Sequence, residues 1–395
     1  MNYILFGDQT RNNLLPFTFT RPIADIRVGI LTIREKWEKY LNTKTSSLTE
    51  EYLSSKFPLV KKNDNILLNG SILPNKQIVK EIEELKPNQT LVLKDTIIAL
   101  RLKAKDIDNF DLDFIEGVTP METTGEPLRI VNLWDIYIHN KQAIKEDYQL
   151  LTKGRKSQNI DPSNRIIEPD NVFIEEGAKV ENAIINASEG PVYIGEDAQV
   201  MDGSIIRGPV AVCKGAIIKM GARIYENTTI GPYSKVGGEI TDTVFFGYSN
   251  KVHDGFLGHS VVGEWCNLGA NTTTSNLKNN YEPIKLWSYV ENSFVDTGQQ
   301  FCGTFLGDHT KCGINTMFNT GTVVGVNANV YGTGFMRNFI SSFSWGSVSG
   351  FSVFQINKAI ELAKKVYKRR NKNFDEKEEK ILRNVFEKTF NYRYL

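Results

Sequence analysis

Between residues 194 and 236 a branched aliphatic side chain recurs at every sixth position: Ile194, Val200, Ile206, Val212, Ile218, Ile224, Ile230 and Val236. Two residues before each stands a small or β-branched residue: Val192, Ala198, Ser204, Val210, Ala216, Ala222, Thr228 and Ser234. A period of six fits neither an α-helix nor the long alternation of an ordinary hairpin. It predicts a parallel β-helix, in which each hexapeptide supplies one short strand and one turn, and successive coils stack. The period returns at Val262 and Leu268, and again at Leu306, Cys312, Phe318, Val324 and Val330. Two stretches break it, 237–256 and 272–289. A regular solenoid needs no loops there, so both are candidates for function.

The flanking segments have other textures. Residues 1–155 suggest mixed α/β structure, with strands at 3–6, 66–68, 90–93 and 96–100 and helices at 30–41 and 79–85. Residues 153–162, polar and containing Gly154, Ser157 and Pro162, suggest a linker. Beyond 350, Ile356, Ile360, Ala363 and Tyr367 share one helical face. A second helix is expected from an Asp375 N-cap through Ile381, Val385 and Phe390. The predicted division is an α/β domain over 1–155, a β-helix over 160–345 and a helical arm over 350–395.

With 395 residues and a net charge of +1, the chain has no global field drawing it to nucleic acid or an anionic membrane. No apolar run approaches the ~18 residues of a membrane span, and the first residues lack the basic and apolar regions of a signal peptide. Cys213, Cys266, Cys302 and Cys312 form no CxxC pair; Cys266 and Cys312 fall on repeat positions, as buried reduced thiols would. A soluble cytoplasmic protein is expected. The arm carries twelve Lys/Arg against six Asp/Glu between Lys358 and Arg393. A solvated helix surface accounts for this; so does an arm beside an anionic ligand.

At the break in the period the chain reads NKVHDGFLGHSVVGEWCNLGANTTTSNLKNN. His253, Phe256, Leu257, Gly258, Val262, Gly263, Cys266, Asn267, Leu268, Gly269, Ala270 and Asn276 resemble the acetyltransferase domain of the bacterial bifunctional N-acetylglucosamine-1-phosphate uridyltransferase/glucosamine-1-phosphate acetyltransferases. Upstream, Arg223 and Glu239 fall where that family has a phosphate-binding Arg and a Glu beside its catalytic His. The resemblance implies a left-handed parallel β-helix, a homotrimer with active sites between subunits, and acetyl-CoA as cosubstrate. His253 would take the proton from a sugar ammonium, and Glu239 would accept from the other ring nitrogen. Arg223 would clamp the sugar phosphate, with Lys251 supplying charge where the family's Lys is replaced by Thr241. Phe256, lacking the family's tyrosine hydroxyl, Asn267 and Asn276 would line the substrate. Ala270, Thr297 and Lys285 would contact the coenzyme. Taken singly, Asn267 also suits an asparagine ladder and Arg223 a pair with a neighbouring Glu. A zinc site suits the four histidines poorly, because His253 and His259 diverge on a prism.

The start, GDQTRNNLLPFTFTRPIADIRVG, resembles a divergent nucleotidyltransferase-like domain, which implies nucleotide contacts at Gly7, Arg11, Arg21 and Arg27. The family's Gly-rich phosphate loop is absent. Where typical members carry a metal-binding Asp, this chain has Asn69–Pro74, leaving Asp8 as the candidate Mg²⁺ carboxylate. The Trp134-Asp135 pair also belongs to this resemblance, without a role. The expected function is acetyl transfer from acetyl-CoA to glucosamine 1-phosphate, coupled to UTP-dependent formation of UDP-N-acetylglucosamine. Two other readings stand beside it. One is a sugar-1-phosphate nucleotidyltransferase whose β-helix only oligomerises or regulates. The other is an acetyltransferase for a different, nucleotide-linked amino sugar.

Overall fold

The computed structural model describes residues 1–107 and 118–394. Two compact units emerge: Met1–Ile26 with Leu31–Asn132, and Arg27–Ile30 with Leu133–Leu395. Helices Asp135–Ile138 and Asn140–Thr152, read above with the first domain, therefore count with the second. So does the short segment Arg27–Ile30: Gly29 N donates to Asn140 Oδ1 at 2.7 Å and Ile30 N to Asp147 Oδ2 at 2.8 Å.

The first unit is a six-stranded sheet, β1 (Asn2–Phe6), β2 (Ser46–Leu48), β3 (Asp64–Asn69), β4 (Gln89–Leu93), β5 (Thr96–Lys103) and β6 (Thr119–Glu122), in the order β2-β1-β3-β5-β4-β6. β1 runs parallel to β2 and β3, and β5 is antiparallel to both β3 and β4. One core gathers Ile4, Phe6, Leu67, Leu100, Leu102 and Ile107. The helix expected from residue 30 begins at Ile33, because Thr32 accepts from Glu35 N while the Glu35 carboxylate accepts from Thr32 N. Strands β2 and β6 were not anticipated; they are short and polar. β1 and β3 end side by side, so Asp8 and Asn69 meet beyond their carboxyl ends, where open parallel sheets bind ligands.

The second unit is a parallel three-faced prism. The first face stacks Arg165–Ile167, Ile184–Asn186, Ile205–Arg207 and Arg223–Ile224. The second stacks Val172–Ile174, Val192–Ile194, Val210–Val212 and Thr228–Ile230. The third stacks Lys179–Val180, Gln199–Val200, Ile217–Ile218 and Lys235–Val236. Two longer strands, Glu239–Gly247 and Phe256–Glu264, each turn the corner from first face to second. All eight residues of the opening repeat are buried in one core with Leu268, Leu306, Cys312, Phe318 and Val324. Each such burial contributes ~1.5–3 kcal/mol.

The two breaks in the period have different causes. Residues 237–256 hold no inserted loop: Ile218 aligns with Val236, and Val236 with Lys251, so this coil is shorter than three hexapeptides. The second break is a true insertion, which leaves the first face after Thr274 and rejoins the prism on the second face at Thr304. It forms an antiparallel hairpin, Lys285–Ser288 with Ser293–Asp296. The last strand of the third face, Ser344–Ser347, pairs antiparallel with Gly350–Val353. Helices Ile356–Lys368 and Glu376–Lys388 follow, the second capped by Asp375, which accepts from the amides of Lys377 and Glu378. Tyr367 stacks on Trp265 with ring centroids 3.9 Å apart, and Trp265 stacks on Tyr248 at 4.3 Å. Phe390, expected on the buried face, is exposed. All four cysteines are free and buried.

Candidate active site

His253 occupies the turn from the third face to the first, between Asn250–Lys251 and Phe256–Glu264. Its side chain is exposed. The turn needs Gly255, whose φ of +119° strains any L side chain. Arg223, Glu239 and Phe256 lie in register on three successive coils of the first face. Asn250 and Asn267 are neighbours on the third face, where Asn250 Nδ2 donates to Asn267 Oδ1 at 3.3 Å. One corner of the prism thus carries an imidazole between a guanidinium–carboxylate pair and two side-chain amides.

Glu239 pairs with Arg223, Nε to Oε2 at 3.3 Å, with both side chains exposed. One role implied by the resemblance changes here. Lys251 lends no charge to a substrate. It sits in the apolar stack inside the prism, 1% exposed, in line with Val236. Its Nζ donates to the carbonyl of His253 at 2.6 Å and that of Asp254 at 3.2 Å. Burial lowers the Lys251 pKa to about 8.

The coenzyme set, together with the substrate residue Asn276, is divided between two edges. Ala270 follows Asn267 near the His253 corner, and its carbonyl accepts from Asn315 N at 2.8 Å. Asn276, Thr297 and Lys285 belong to the insertion at the opposite edge of the first face. Asn276 Nδ2 lies 2.9 Å from His259 Nδ1, Thr297 Oγ1 donates to Ile284 O at 2.7 Å, and Lys285 pairs with Asp296 in the hairpin. Gly258 accommodates this edge: a Cβ there would meet the Phe256 ring at 2.6 Å and the Asn276 amide at 2.8 Å.

Sequence reasoning did not single out His259. It shares a cavity of about 310 Å³ with Tyr137, Asp242 and Phe301, stacked on the Phe301 ring at 5.2 Å. Its Nε2 stands 3.8 Å from Asp242 Oδ2. Burial holds the imidazole below its ordinary pKa against the pull of Asp242. Tyr137, three residues after Trp134, gives that motif a place, its hydroxyl donating to Phe301 O at 2.8 Å.

In the first unit the polar node is built on Asp8. It accepts from Thr10 N at 2.9 Å, from the Thr10 hydroxyl, from Asn69 Nδ2 at 2.8 Å and from Arg129 at 2.7 Å. Burial would raise its pKa, but these donors together hold it below the ordinary value. The carboxylate proposed for Mg²⁺ is therefore occupied by donors, and no cluster of three metal-ligating side chains exists among the described residues. The arrangement does not fit a metal at Asp8. Arg129, which the sequence reading passed over, also reaches Ser71 at 3.2 Å and Thr96 at 2.8 Å.

Of the four expected nucleotide contacts, Gly7 follows β1 and lies against Arg11: a Cβ there would stand 3.9 Å from the Arg11 side chain. Arg11 is held by Glu50 at 2.6 Å, Thr18 O at 2.8 Å and Tyr52 at 3.0 Å. Arg21 is buried. Arg27 is buried in the second unit, where it donates to Phe246 O at 3.0 Å and to Ile30 O.

Residues 3–156 match the family model described as sugar nucleotidyl transferase. The chain is 30% identical over 178 residues to a bifunctional sugar-1-phosphate nucleotidylyltransferase/acetyltransferase of Sulfurisphaera tokodaii, covering 45% of this chain and 43% of that protein. It is 31% identical over 120 residues to the bifunctional protein GlmU of Methanocaldococcus jannaschii, covering 30% of this chain and 26% of the relative. A GlmU of a Cyanothece strain is 22% identical over 214 residues, 49% of this chain and 43% of that one. The chain spans less than half the length of these relatives.

Proposed function

We propose that this GlmU-like chain transfers an acetyl group from acetyl-CoA to the amine of glucosamine 1-phosphate at the His253 corner, and that its first unit serves the nucleotidyl transfer named in its relatives, with UTP. The observation that carries the first part is the exposed His253 imidazole, with Arg223 two coils before it and Asn267 one coil after it around one corner. His253 takes a proton from the sugar ammonium, and the freed amine attacks the thioester carbonyl carbon. The C–N bond forms, the oxyanion collapses, the C–S bond breaks, the imidazolium passes its proton to the departing thiolate, and the second proton of the new ammonium nitrogen is released to solvent. Amide donors at the corner stabilise the oxyanion by several kcal/mol. Arg223 holds the sugar phosphate, exchanging part of its exposed pair with Glu239 for it.

The division of the coenzyme residues between two edges supports a homotrimer, in which the Asn276–Lys285 edge of one copy closes the His253 corner of the next. No described helix is long and apolar enough to cross a membrane, which agrees with small-molecule substrates met in a cytoplasmic setting.

The test is thiol release from acetyl-CoA with glucosamine 1-phosphate, for wild type and His253→Ala. Release that falls ~10²-fold or more in the variant, the loss expected of a general base, supports the assignment. Absence of release from folded wild type overturns it and directs the search to nucleotide-linked amino sugars.

A further inference from the structure

Where the first face turns into the second, corner residues of successive coils form one polar chain. Asn227 Nδ2 donates to Asp242 Oδ1 at 2.7 Å, Asp242 Oδ2 faces His259 Nε2 at 3.8 Å, and His259 Nδ1 lies 2.9 Å from Asn276 Nδ2. Thr241 pairs with Gly258 and Thr243 with Ser260, so Asp242 and His259 hold equivalent corners. An asparagine ladder would repeat one amide. Here a carboxylate and an imidazole replace its middle members.

The chain has one direction. Asp242 accepts from Asn227 on one oxygen and from the Thr241 hydroxyl, at 2.8 Å, on the other. Burial holds the His259 imidazole below its ordinary pKa, so at pH 7 it carries a single N–H. The carboxylate beside Nε2 draws that proton to Nε2 and leaves a lone pair on Nδ1. Asn276 Nδ2 therefore donates to Nδ1, and the amide oxygen is turned away from the ring. The rings of Phe301, stacked at 5.2 Å, and Tyr137, edge-on at 5.6 Å, keep the imidazole in this orientation. The Tyr137 hydroxyl does not compete for it, being spent on Phe301 O.

The amide fixed in this way lies beside the substrate-lining Phe256. A Cβ on Gly258 would meet both the Phe256 ring and Asn276 Nδ2, so glycine lets ring and amide close on each other. Asn276 is partly exposed, and among the described residues its Oδ1 accepts no hydrogen bond. An acceptor without a donor, next to an aromatic ring, suits an N–H carried on a sugar. Accepting one N–H also fixes the rotation of a freed amine, so that its lone pair faces the thioester carbon.

We propose that His259 is a positioning residue: it holds the Asn276 amide with Oδ1 presented to the substrate, as the acceptor for an N–H of the amino sugar. The inference rests on the proposed function for the substrate and on the Asn227–Asp242–His259–Asn276 chain for the geometry.

The tautomer is read by NMR of the full chain labelled with nitrogen-15 at its four histidines, the His259 signals being those lost in His259→Phe or His259→Gln. A proton on Nε2, and an Nδ1 shift that moves in Asn276→Ala, are expected. A proton on Nδ1, or an Nδ1 shift indifferent to Asn276→Ala, overturns the proposal. In the acetyl-transfer assay His259→Phe keeps a ring in place but offers no acceptor. It should lower kcat/KM for the amino sugar ~10-fold, the scale of one hydrogen bond, and leave KM for acetyl-CoA unchanged. His259→Gln, whose side-chain oxygen can again accept from Asn276, should recover most of the loss. Equal losses in the two variants, or a KM for acetyl-CoA that rises as well, mark a structural role and overturn the proposal. Should neither variant fold, Asn276→Ala carries the kinetic comparison, with the same loss expected and an unchanged kcat/KM overturning it. If wild type does not acetylate glucosamine 1-phosphate, a nucleotide-linked amino sugar takes its place, and acetylation of neither overturns the role. The tautomer is measured without turnover, so a failed glucosamine 1-phosphate assay and a failed His259 assignment are told apart.

Discussion

The Nζ of Lys251 stands 2.6 Å from the carbonyl oxygen of His253, so a buried amine inside the prism anchors the turn that presents the imidazole outside it. Lys251→Met fills the same interior position with an apolar side chain. It removes a desolvated charge, so stability at pH 7 is expected to be no lower than that of wild type in urea unfolding. The turn loses its anchor, and kcat for acetyl transfer is expected to fall ~10–100-fold, as for a misplaced reacting group. The pH dependence has a definite sign. A lysine held at about 8 opposes folding while it is charged and stops doing so once neutral. Wild type should therefore gain stability relative to Lys251→Met as pH rises from about 8 towards 10.5, by ~3 kcal/mol in all. Buried thiols and tyrosines, pushed up by burial, oppose this above their ordinary values in both proteins and cancel in the difference.

If the two halves of the site come from different copies, two inactive variants should restore each other. His253→Ala and Lys285→Ala, each inactive or weak alone, are expected to regain a measurable fraction of wild-type thiol release after co-refolding or co-expression. Tandem substitution in one chain, mixed with wild type, sets the baseline. Activity no higher than the sum of the separate variants argues that one chain builds its own site.

Asp8 makes the first unit acid-sensitive. Its folded pKa is depressed, so it contributes stability above its ordinary value of 3.8, and this is lost as the pH falls below that value. Asp8→Asn should flatten the acid limb of the unfolding midpoint between pH 5 and 2. Arg129→Met should lower stability at pH 7 by ~1–3 kcal/mol, since it leaves a half-buried carboxylate short of its cation.

The arm is held to the prism chiefly by rings. Tyr367→Ala removes the stack on Trp265 and the edge contact with Phe374. A loss of ~3–5 kcal/mol is expected from the emptied site, with faster proteolytic cleavage between residues 369 and 375. Unchanged cleavage would place the docking energy in Ile360, Ala363 and the second helix.

The prism was legible because its chemistry is local and repeated. A coil whose inward position is Ile, Val or Ala at a fixed interval leaves only the stacked arrangement able to bury them all. The shortened coil at 237–256 was not legible as such, since deletion and insertion both interrupt a period. Lys251 was misassigned for a related reason: a charged residue in a strand suggests the surface, and only the alignment with Val236 places it inside. Arg223 and Glu239 fell in the expected register, but their mutual pairing depends on side-chain reach across coils. Asp8, Asn69 and Arg129 are separated by most of the first unit, and their meeting required the parallel pairing of β1 with β3. Arg27 shows the converse: a charge close in sequence to a glycine was taken for a phosphate contact, and its buried guanidinium donates to the carbonyls of Phe246 and Ile30.

A stack of parallel rungs ends in an open row of amides and carbonyls that another copy of the same stack would match, so the architecture carries the hazard of fibre growth. Here the final rung of the third face, Ser344–Ser347, is met by a strand of opposite polarity from the same chain, Gly350–Val353. An incoming coil would find a template running the wrong way. The length of the prism is thereby bounded, and association is directed to its sides, where the corner residues lie.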